Sequence, residues 1–110
     1  MSRICLGIVV FLCLFSPLAR AAEPEVFLLT IKDHRFEPAE ISIPAGRKVK
    51  VRIENQDPTP EEFESTPLNR EKLVGGGKSI IIYLGPLGPG SYPFYGEFHR
   101  QTAQGSVVVK

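Results

Sequence analysis

The chain has 110 residues, of which 43% are hydrophobic, with 13 basic and 12 acidic side chains. This is the size of one ordinary domain with enough apolar residues for a core, and it is too short for two domains. The near balance of charge excludes a strongly basic surface, so we expect no nucleic-acid partner.

The N-terminal segment has the pattern of a secretory signal peptide. Arg3 precedes an apolar run that ends at Phe15, and the small residues Ala19 and Ala21 form a cleavage site. The apolar run is shorter than the roughly 20 residues that a membrane-spanning helix needs. We therefore predict a signal peptide over residues 1–21, export to the periplasm, and a mature domain over residues 22–110. A retained N-terminal anchor is the alternative.

Cleavage at this site would remove every sulfur atom from the mature chain. Cys5 and Cys13 both lie within the predicted signal peptide, and Met1 is the only methionine. We therefore expect an exported domain that has no disulfide and no thiolate or thioether metal ligand.

The remaining chain is predicted to form short strands separated by glycine- and proline-rich turns. The clearest strand is Arg47–Glu54, in which apolar and charged residues alternate, a pattern typical of an antiparallel sheet with one buried face. One helical turn is predicted over Leu68–Leu73, ended by the glycines that follow. The fold class is therefore all-β, a sandwich or a barrel. The other predicted strands are Val26–Lys32, Ile41–Ile43, Lys78–Leu84, Tyr92–Tyr95 and Gly105–Lys110.

Aromatic residues are assigned to the core or to turns. Leu87–Tyr92 has the spacing of a tyrosine corner, in which a tyrosine hydroxyl bonds to the backbone a few residues upstream. Tyr83 and Tyr95 are predicted to be core or corner residues rather than redox relays. The predicted core anchors are Phe36, Phe63 and Phe98.

The order of these motifs resembles the cupredoxin family. The motifs are the turn Pro44–Gly46, a charged alternating strand that ends in Asn55, the corner at Tyr92, the segment Tyr95–His99 and a final strand Gly105–Val109. The resemblance covers residues 25–110 and implies a Greek-key β-sandwich of about seven strands.

The resemblance also implies where a copper site would lie. In cupredoxins one histidine ligand follows the strand that ends in asparagine, and a cysteine, a second histidine and a methionine lie before the last strand. His99 matches the second histidine, whereas Gly96 falls at the cysteine position and Ala103 near the methionine position. The first histidine position falls at Glu61 or Glu62. A blue-copper centre is therefore excluded, because it needs two histidines and a cysteine.

Two segments, Glu61–Ser65 and Gly96–His99, resemble those of small exported cupredoxin-like proteins encoded beside high-affinity iron permeases. That resemblance implies a role in iron import, with copper or iron as the bound ion. It also implies a membrane iron permease or another periplasmic protein as the partner.

Six side chains are candidate metal ligands. Imidazole and carboxylate donors suit Fe(II), Cu(II), Zn(II) or Mn(II), and a site without thiolate disfavours tight Cu(I) capture. In an extended strand Glu62 and Glu64 would point to one side and Glu61 to the other. Each candidate has a plainer interpretation, because acidic runs and loop histidines are usually solvated surface residues. The candidates are His99, Glu61, Glu62, Glu64, Glu97 and His34.

Three functional hypotheses follow from these residues. The first is a periplasmic metal-binding protein, accessory to iron uptake, that uses His99 and nearby glutamates. The second is a metal-free interaction module that docks on a membrane or periplasmic partner. The third is a small ferroxidase, which lacks an evident electron sink; no arrangement of side chains suggests nucleophilic catalysis.

Overall fold

The computed structural model describes residue 7 and residues 23–110. Apart from that one residue, the predicted signal peptide lies outside the described residues. Within the described chain no helix is long and apolar enough to cross a membrane.

The described chain forms nine strands and one short 3₁₀ helix, compared with the about seven strands that the resemblance implied. The strands are β1 (Val26–Lys32), β2 (Arg35–Glu37), β3 (Glu40–Ile43), β4 (Val49–Asn55), β5 (Glu61–Ser65), β6 (Arg70–Val74), β7 (Ser79–Leu84), β8 (Gly90–Gly96) and β9 (Gln104–Val109), and the 3₁₀ helix is Glu97–His99.

The strands form two sheets packed as a sandwich, which confirms the predicted fold class. The first sheet has the order β2-β1-β4-β7, and the second has the order β3-β9-β8-β5-β6. Strand β4 pairs antiparallel with β7, as predicted, but it also pairs parallel with β1. Both sheets are therefore mixed, since β3 and β9 are parallel as well.

The predicted helical turn at Leu68–Leu73 is wrong. Its last four residues belong to β6, which pairs antiparallel with β5, and Asn69 adopts a left-handed conformation with a φ of 51°. The Arg70 guanidinium donates to the carbonyls of Leu68, Asn69 and, across to the first sheet, Tyr83. Backbone pairing and this side-chain contact replace the hydrogen bonds that a helical turn would make.

The core lies between the sheets and contains a cluster of three aromatic rings. Phe94 lies 4.9 Å from Phe36 and 5.0 Å from Phe63, measured between ring centroids. The predicted tyrosine corner is present, because the Tyr92 hydroxyl donates to the carbonyl of Gly88 at 2.9 Å. Two predictions of burial are wrong: Phe98 is 48% exposed and Tyr83 is 43% exposed.

The strand directions define two ends of the sandwich. Strands β1 and β4 both run toward one end, where Ile31 is paired with Asn55, and β8 and β9 meet there through Tyr95 and Gln104. At the opposite end, the carbonyl of Glu25 accepts a hydrogen bond from Lys50, and the carbonyl of Lys110 accepts one from Ala45. We call the first of these the histidine end, because His34 follows β1 there and His99 follows β8.

Candidate metal centre

Glu61 is the most deeply buried acid of the histidine end. It is the first residue of β5 and only 1% exposed. Its Oε1 accepts hydrogen bonds from the backbone nitrogens of Glu62 at 3.0 Å and Phe98 at 2.9 Å, while its Oε2 lies 2.5 Å from Nδ1 of His99. A buried carboxylate needs such partners, and here both of its oxygens are occupied.

Gly96 makes room for that carboxylate. A Cβ atom at position 96 would lie 2.6 Å from Cδ of Glu61 and 2.7 Å from Cβ of Ala103, closer than real side chains approach. The four positions that the cupredoxin pattern assigns to copper ligands therefore do meet at one place. They are filled by a carboxylate, a glycine, an imidazole and a methyl group. Of the two glutamates left open for the first position, Glu61 is the one whose side chain contacts His99.

A blue-copper ion does not fit this arrangement. Position 96 offers no thiolate, Ala103 offers no thioether, and the carboxylate of Glu61 stands against the imidazole nitrogen of His99. A metal bound here would need a set of ligands other than the two histidines and one cysteine of a blue-copper centre.

His34 is brought against His99 by the turn between β1 and β2. The two imidazole rings are stacked, with centroids 3.5 Å apart and planes inclined by 12°. The His34 carbonyl accepts a hydrogen bond from the Thr102 hydroxyl at 2.6 Å. The two histidines of the chain, far apart in sequence, thus form one aromatic pair at the surface of the histidine end.

Asp57 holds the turn that carries His34. Its two carboxylate oxygens accept hydrogen bonds from the backbone nitrogens of Asp33 at 2.8 Å and His34 at 3.0 Å. Both of those residues have positive φ values, 52° and 57°, a conformation that costs free energy for residues other than glycine. Asn55 fixes Asp57 in turn, because its side-chain oxygen accepts from the Asp57 nitrogen at 3.0 Å.

The environment of Asp57 favours its charged form. Burial acts to raise the pKa of Asp57, but the hydrogen bonds from the backbone of His34 and Asp33, with the charges of His34 and His99 when protonated, hold that pKa below its ordinary value. The carboxylate therefore supplies a fixed negative charge close to both imidazoles.

The remaining candidates lie elsewhere. Glu62 and Glu64 alternate with buried residues of β5 and face outward, as predicted for an extended strand. Their carboxylate oxygens and that of Glu71 on β6 lie within 4.8 Å of one another, and among the described residues no other three ligand atoms converge so closely. Glu97 binds Arg100 through Oε2 at 2.6 Å and 3.0 Å. We call Glu62, Glu64, Glu71 and Glu97 the outer carboxylate cluster.

Repulsion shapes the pKa values of this cluster. A hydrogen bond with Glu71, followed by burial and the neighbouring carboxylate charges, raises the pKa of Glu62. Burial, followed by the hydrogen bond and charge of Glu97, raises the pKa of Glu64. The hydrogen bond from Arg100 instead lowers the pKa of Glu97. Within the cluster, Glu62 and Glu64 therefore keep their protons to a higher pH than isolated glutamates would, whereas Glu97 loses its proton at a lower pH.

A cavity of about 360 Å³ opens beside the stacked rings. It is lined by His34, Phe98, His99, Arg100, Gln101 and Thr102, so both imidazoles border it and no carboxylate does. The sequence did not predict the roles of Asp57, Thr102 or Glu71. The Asn55–Asp57 spacing in a proline-containing loop is a signal for an Asx turn, and it could have indicated Asp57.

Comparison with known proteins identifies the family of the chain and agrees with its fold. Residues 4–109 match the family described as the cupredoxin-like domain. The chain is 49% identical over 81 residues to an uncharacterized protein of Rickettsia prowazekii (strain Madrid E), in a match covering 74% of this chain and 65% of that protein. The matched region is thus less than two thirds of that relative.

Solved structures with the same fold are more distant in sequence. Auracyanin A, a "blue" copper protein from Chloroflexus aurantiacus, is 15% identical with a TM-score of 0.68, over 80% of this chain and 100% of that one. The metal-binding domain of the Cu(I)-exporting P-type ATPase CopA from Streptococcus pneumoniae D39 is 17% identical with a TM-score of 0.69, over 77% and 84% of the two chains. At these identities the likeness concerns the fold alone.

Proposed function

This chain belongs to the cupredoxin-like family, and we propose that it is a periplasmic metal-binding protein that binds copper or iron at the histidine end and is accessory to iron uptake. The observation that carries the proposal is the contact of the buried Glu61 with Nδ1 of His99, together with the stacking of His34 on the same ring. A histidine oriented by a carboxylate is a common arrangement of metal ligands.

The chemistry of the available donors defines the ions. Two imidazoles with nearby carboxylates suit Fe(II), Cu(II) and Zn(II), and the lack of thiolate disfavours tight binding of Cu(I). His99, His34 and Glu61 are the residues proposed for this site. Glu62, Glu64 and Glu97, the other predicted ligands, would hold an ion only at the outer carboxylate cluster.

The proposed role in iron uptake and the proposed location rest on the sequence. The signal-peptide pattern of residues 1–21 supports export, and the segments Glu61–Ser65 and Gly96–His99 support an association with an iron permease. Fractionation of cells, with mass spectrometry of the N-terminus, tests export. Uptake of labelled iron in cells with the gene deleted and then restored tests the role.

Calorimetric titration of the purified exported chain with Cu(II), Zn(II) and anaerobic Fe(II) tests metal binding. We expect saturable binding near one equivalent, weakened at least tenfold, or about 1.4 kcal/mol, by His99→Ala. Glu64→Gln is the matched control, since Glu64 lies on β5 but faces the outer carboxylate cluster. Loss of binding in Glu64→Gln with retention in His99→Ala would place the ion at that cluster, and absence of heat with every ion would refute the proposal.

A second candidate function is a metal-free docking module, and the outer face of the first sheet favours it. Val26, Leu28 and Ile81 are exposed there, and the ammonium groups of Lys48 and Lys50 lie 4.8 Å and 5.8 Å from the Tyr83 ring centroid. Apolar side chains among cations suit an acidic protein partner. Under this function Leu28→Ser combined with Ile81→Ser would impair iron uptake, whereas His99→Ala would leave it unchanged.

A further inference from the structure

We propose that the outer face of the first sheet docks on the outer face of β5 and β6 in a second copy of this chain. The inference goes beyond metal binding and does not depend on it. For the face that a docking function would use, it identifies the acidic protein partner as the protein itself.

The outer face of the first sheet carries lysines that have no carboxylate partner. Lys48 and Lys50 lie 4.8 Å and 5.8 Å from the centroid of the Tyr83 ring, and neither forms an ion pair with any described residue. The neighbouring Arg52 is already bound by Glu54 at 3.0 Å. The two lysine charges are therefore available to an anionic partner. We call the surface formed by Val26, Leu28, Lys48, Lys50, Ile81 and Tyr83 the cationic face.

Apolar side chains flank these cations in the sheet. Lys50 is paired with Val26 on one side and with Tyr83 on the other. Leu28 and Ile81 lie in the next outward-facing row of the same two outer strands. Val26, Leu28 and Ile81 are each more than half exposed. A group of exposed apolar side chains among charges is typical of a surface that binds another molecule.

The outer face of β5 and β6 has the opposite charge. The carboxylate oxygens of Glu62, Glu64 and Glu71 lie within 4.8 Å of one another, and no cation of the described chain forms an ion pair with them. Leu73 is 61% exposed and is paired with Glu62. We call these four residues the acidic face. It too combines exposed apolar area with charges that lack partners.

One pairing of these surfaces satisfies the charges of both. A symmetric contact between two cationic faces, or between two acidic faces, would place like charges opposite each other, which is unfavourable. The cationic face of one copy against the acidic face of the next pairs opposite charges instead. The two faces belong to different sheets and lie on opposite sides of the sandwich, so each copy keeps one face free after the contact forms. The association is therefore head-to-tail and open-ended rather than a closed dimer.

The size of the cationic face limits the strength of the contact. It spans the three neighbouring strands β1, β4 and β7, about 4.8 Å apart and about 20 Å long, so its footprint is roughly 300 Å². A standard stable interface buries about 800 Å² per partner. We therefore expect a weak, reversible contact that depends on the attraction of exposed charges and is screened by salt.

Sedimentation velocity of the exported chain tests the inference. The runs would cover a wide range of protein concentration, in EDTA so that no metal ion bridges the carboxylates. At low salt we expect the average sedimentation coefficient to rise with concentration beyond the dimer value. It should return to the monomer value in salt of about 1 M, where the Debye length is about 3 Å. A monomer at every concentration, or association that stops at a dimer, overturns the inference and leaves the metal-binding function untouched.

Reversal of the lysine charges locates one side of the contact. Lys48→Glu combined with Lys50→Glu makes the cationic face acidic, and we expect association at least tenfold weaker than in the wild type. The matched control is Lys78→Glu combined with Lys110→Glu, which changes the net charge equally but lies outside both faces. Equal weakening in the control would show that net charge alone is responsible, and the inference would fail.

Reversal of the carboxylate charges locates the other side. Replacing Glu62, Glu64 and Glu71 together with lysine makes the acidic face basic, and this variant alone should also associate at least tenfold more weakly. An equimolar mixture with the lysine-reversed variant should recover association, because opposite charges then meet again. A mixture that stays monomeric overturns the pairing. Wild-type protein that binds phosphatidylglycerol vesicles through Lys48 and Lys50 but does not self-associate would assign the cationic face to a membrane and refute the inference.

Discussion

At the scale of single residues, two positions of the histidine end differ from the cupredoxin pattern. Gly96 leaves space, and the side chain of Glu61 fills it. Gly96 lacks the side chain that the cupredoxin pattern places there, and the carboxylate of Glu61 occupies the neighbouring volume. Both oxygens of that carboxylate are bonded, so a hydrogen-bonded carboxylate and imidazole lie where the cupredoxin pattern has its metal ligands. The two positions are therefore coupled.

Gly96→Ala should destabilise the protein. Its Cβ would lie 2.6 Å from Cδ of Glu61, and overpacking of a buried site costs about 1–3 kcal/mol of unfolding free energy. The matched control is Gly88→Ala, because a Cβ at position 88 meets nothing within 4 Å. Denaturant unfolding of both variants measures the difference, and equal stabilities would show that Glu61 can move aside without cost.

Asp57→Ala should also destabilise the protein and loosen His34. The substitution leaves the backbone nitrogens of Asp33 and His34 without their acceptors, at a cost of about 1–3 kcal/mol. Asp57→Asn keeps one carbonyl oxygen and should lose less. Hydrogen exchange at the two amide protons tests the mechanism, since unchanged protection in Asp57→Ala would contradict it.

At the scale of elements, β5 carries both the core and the surface of the site. Its alternation places Glu61, Phe63 and Ser65 inside and Glu62 and Glu64 outside. One strand thus presents the buried acid to His99 and two further acids to solvent. A register shift of one residue would exchange these faces and lose the site.

Phe63→Ala should cost about 3–5 kcal/mol of unfolding free energy, since it removes one of the three rings of the buried aromatic cluster. Phe98→Ala is the matched control, because that ring is half exposed, and it should change stability by less than about 0.5 kcal/mol. Chemical denaturation measures both, and a large loss in Phe98→Ala would show that this ring packs in solution.

The alternation of apolar and polar residues, with glycine and proline at the turns, predicted the strands well where one face of the strand is buried. Val26–Lys32 coincides with β1, and the inward residues of β4 are the predicted Val49, Val51 and Ile53. The prediction failed at β6, where Leu73 is exposed and no alternation marks a strand, so pairing with β5 decides the conformation. Local patterns cannot report such long-range pairing.

The site was predictable only in part for the same reason. The motif order indicated that His99 and Glu61 or Glu62 lie near each other, and alternation separated Glu61 from its neighbours. The stacking of His34 on His99 depends on how the first and second sheets pack, and no local pattern encodes it. The convergence of Glu71 on Glu62 and Glu64 likewise depends on β6, which the sequence did not reveal.

At the scale of the whole molecule, charge is unevenly distributed over the two sheets. The outer face of the first sheet carries Lys48 and Lys50 around Tyr83, whereas β5 and β6 of the second sheet carry the outer carboxylate cluster. Raised pKa values of Glu62 and Glu64 show that their ionisation opposes folding. Stability from these two groups is therefore present below their ordinary value of 4.5 and is lost as the pH rises through their raised pKa values.

Glu71→Gln should stabilise the protein at neutral pH, since it removes a charge that repels Glu62 and Glu64. Well below pH 4.5, the ordinary pKa of Glu62 and Glu64, these two carboxyls are protonated and no longer repelled, so the gain should shrink in acid. Thermal unfolding across this pH range tests the expectation, with Glu40→Gln on the exposed part of β3 as control. A gain that is independent of pH would point to a cause other than charge.

The hydrogen bonds of Glu25 and Lys110 place both of these residues at the end of the sandwich that lies away from the histidines. Strand β1 alone separates the two ends by about 20 Å, since its seven residues are joined by six steps of roughly 3.3 Å. Any segment joined before Glu25 or after Lys110, whether a surface linker or a fused protein, therefore emerges on the side remote from the imidazoles. If the protein were attached to another structure through either segment, its histidine pair would face away from the attachment and would be accessible to a second protein.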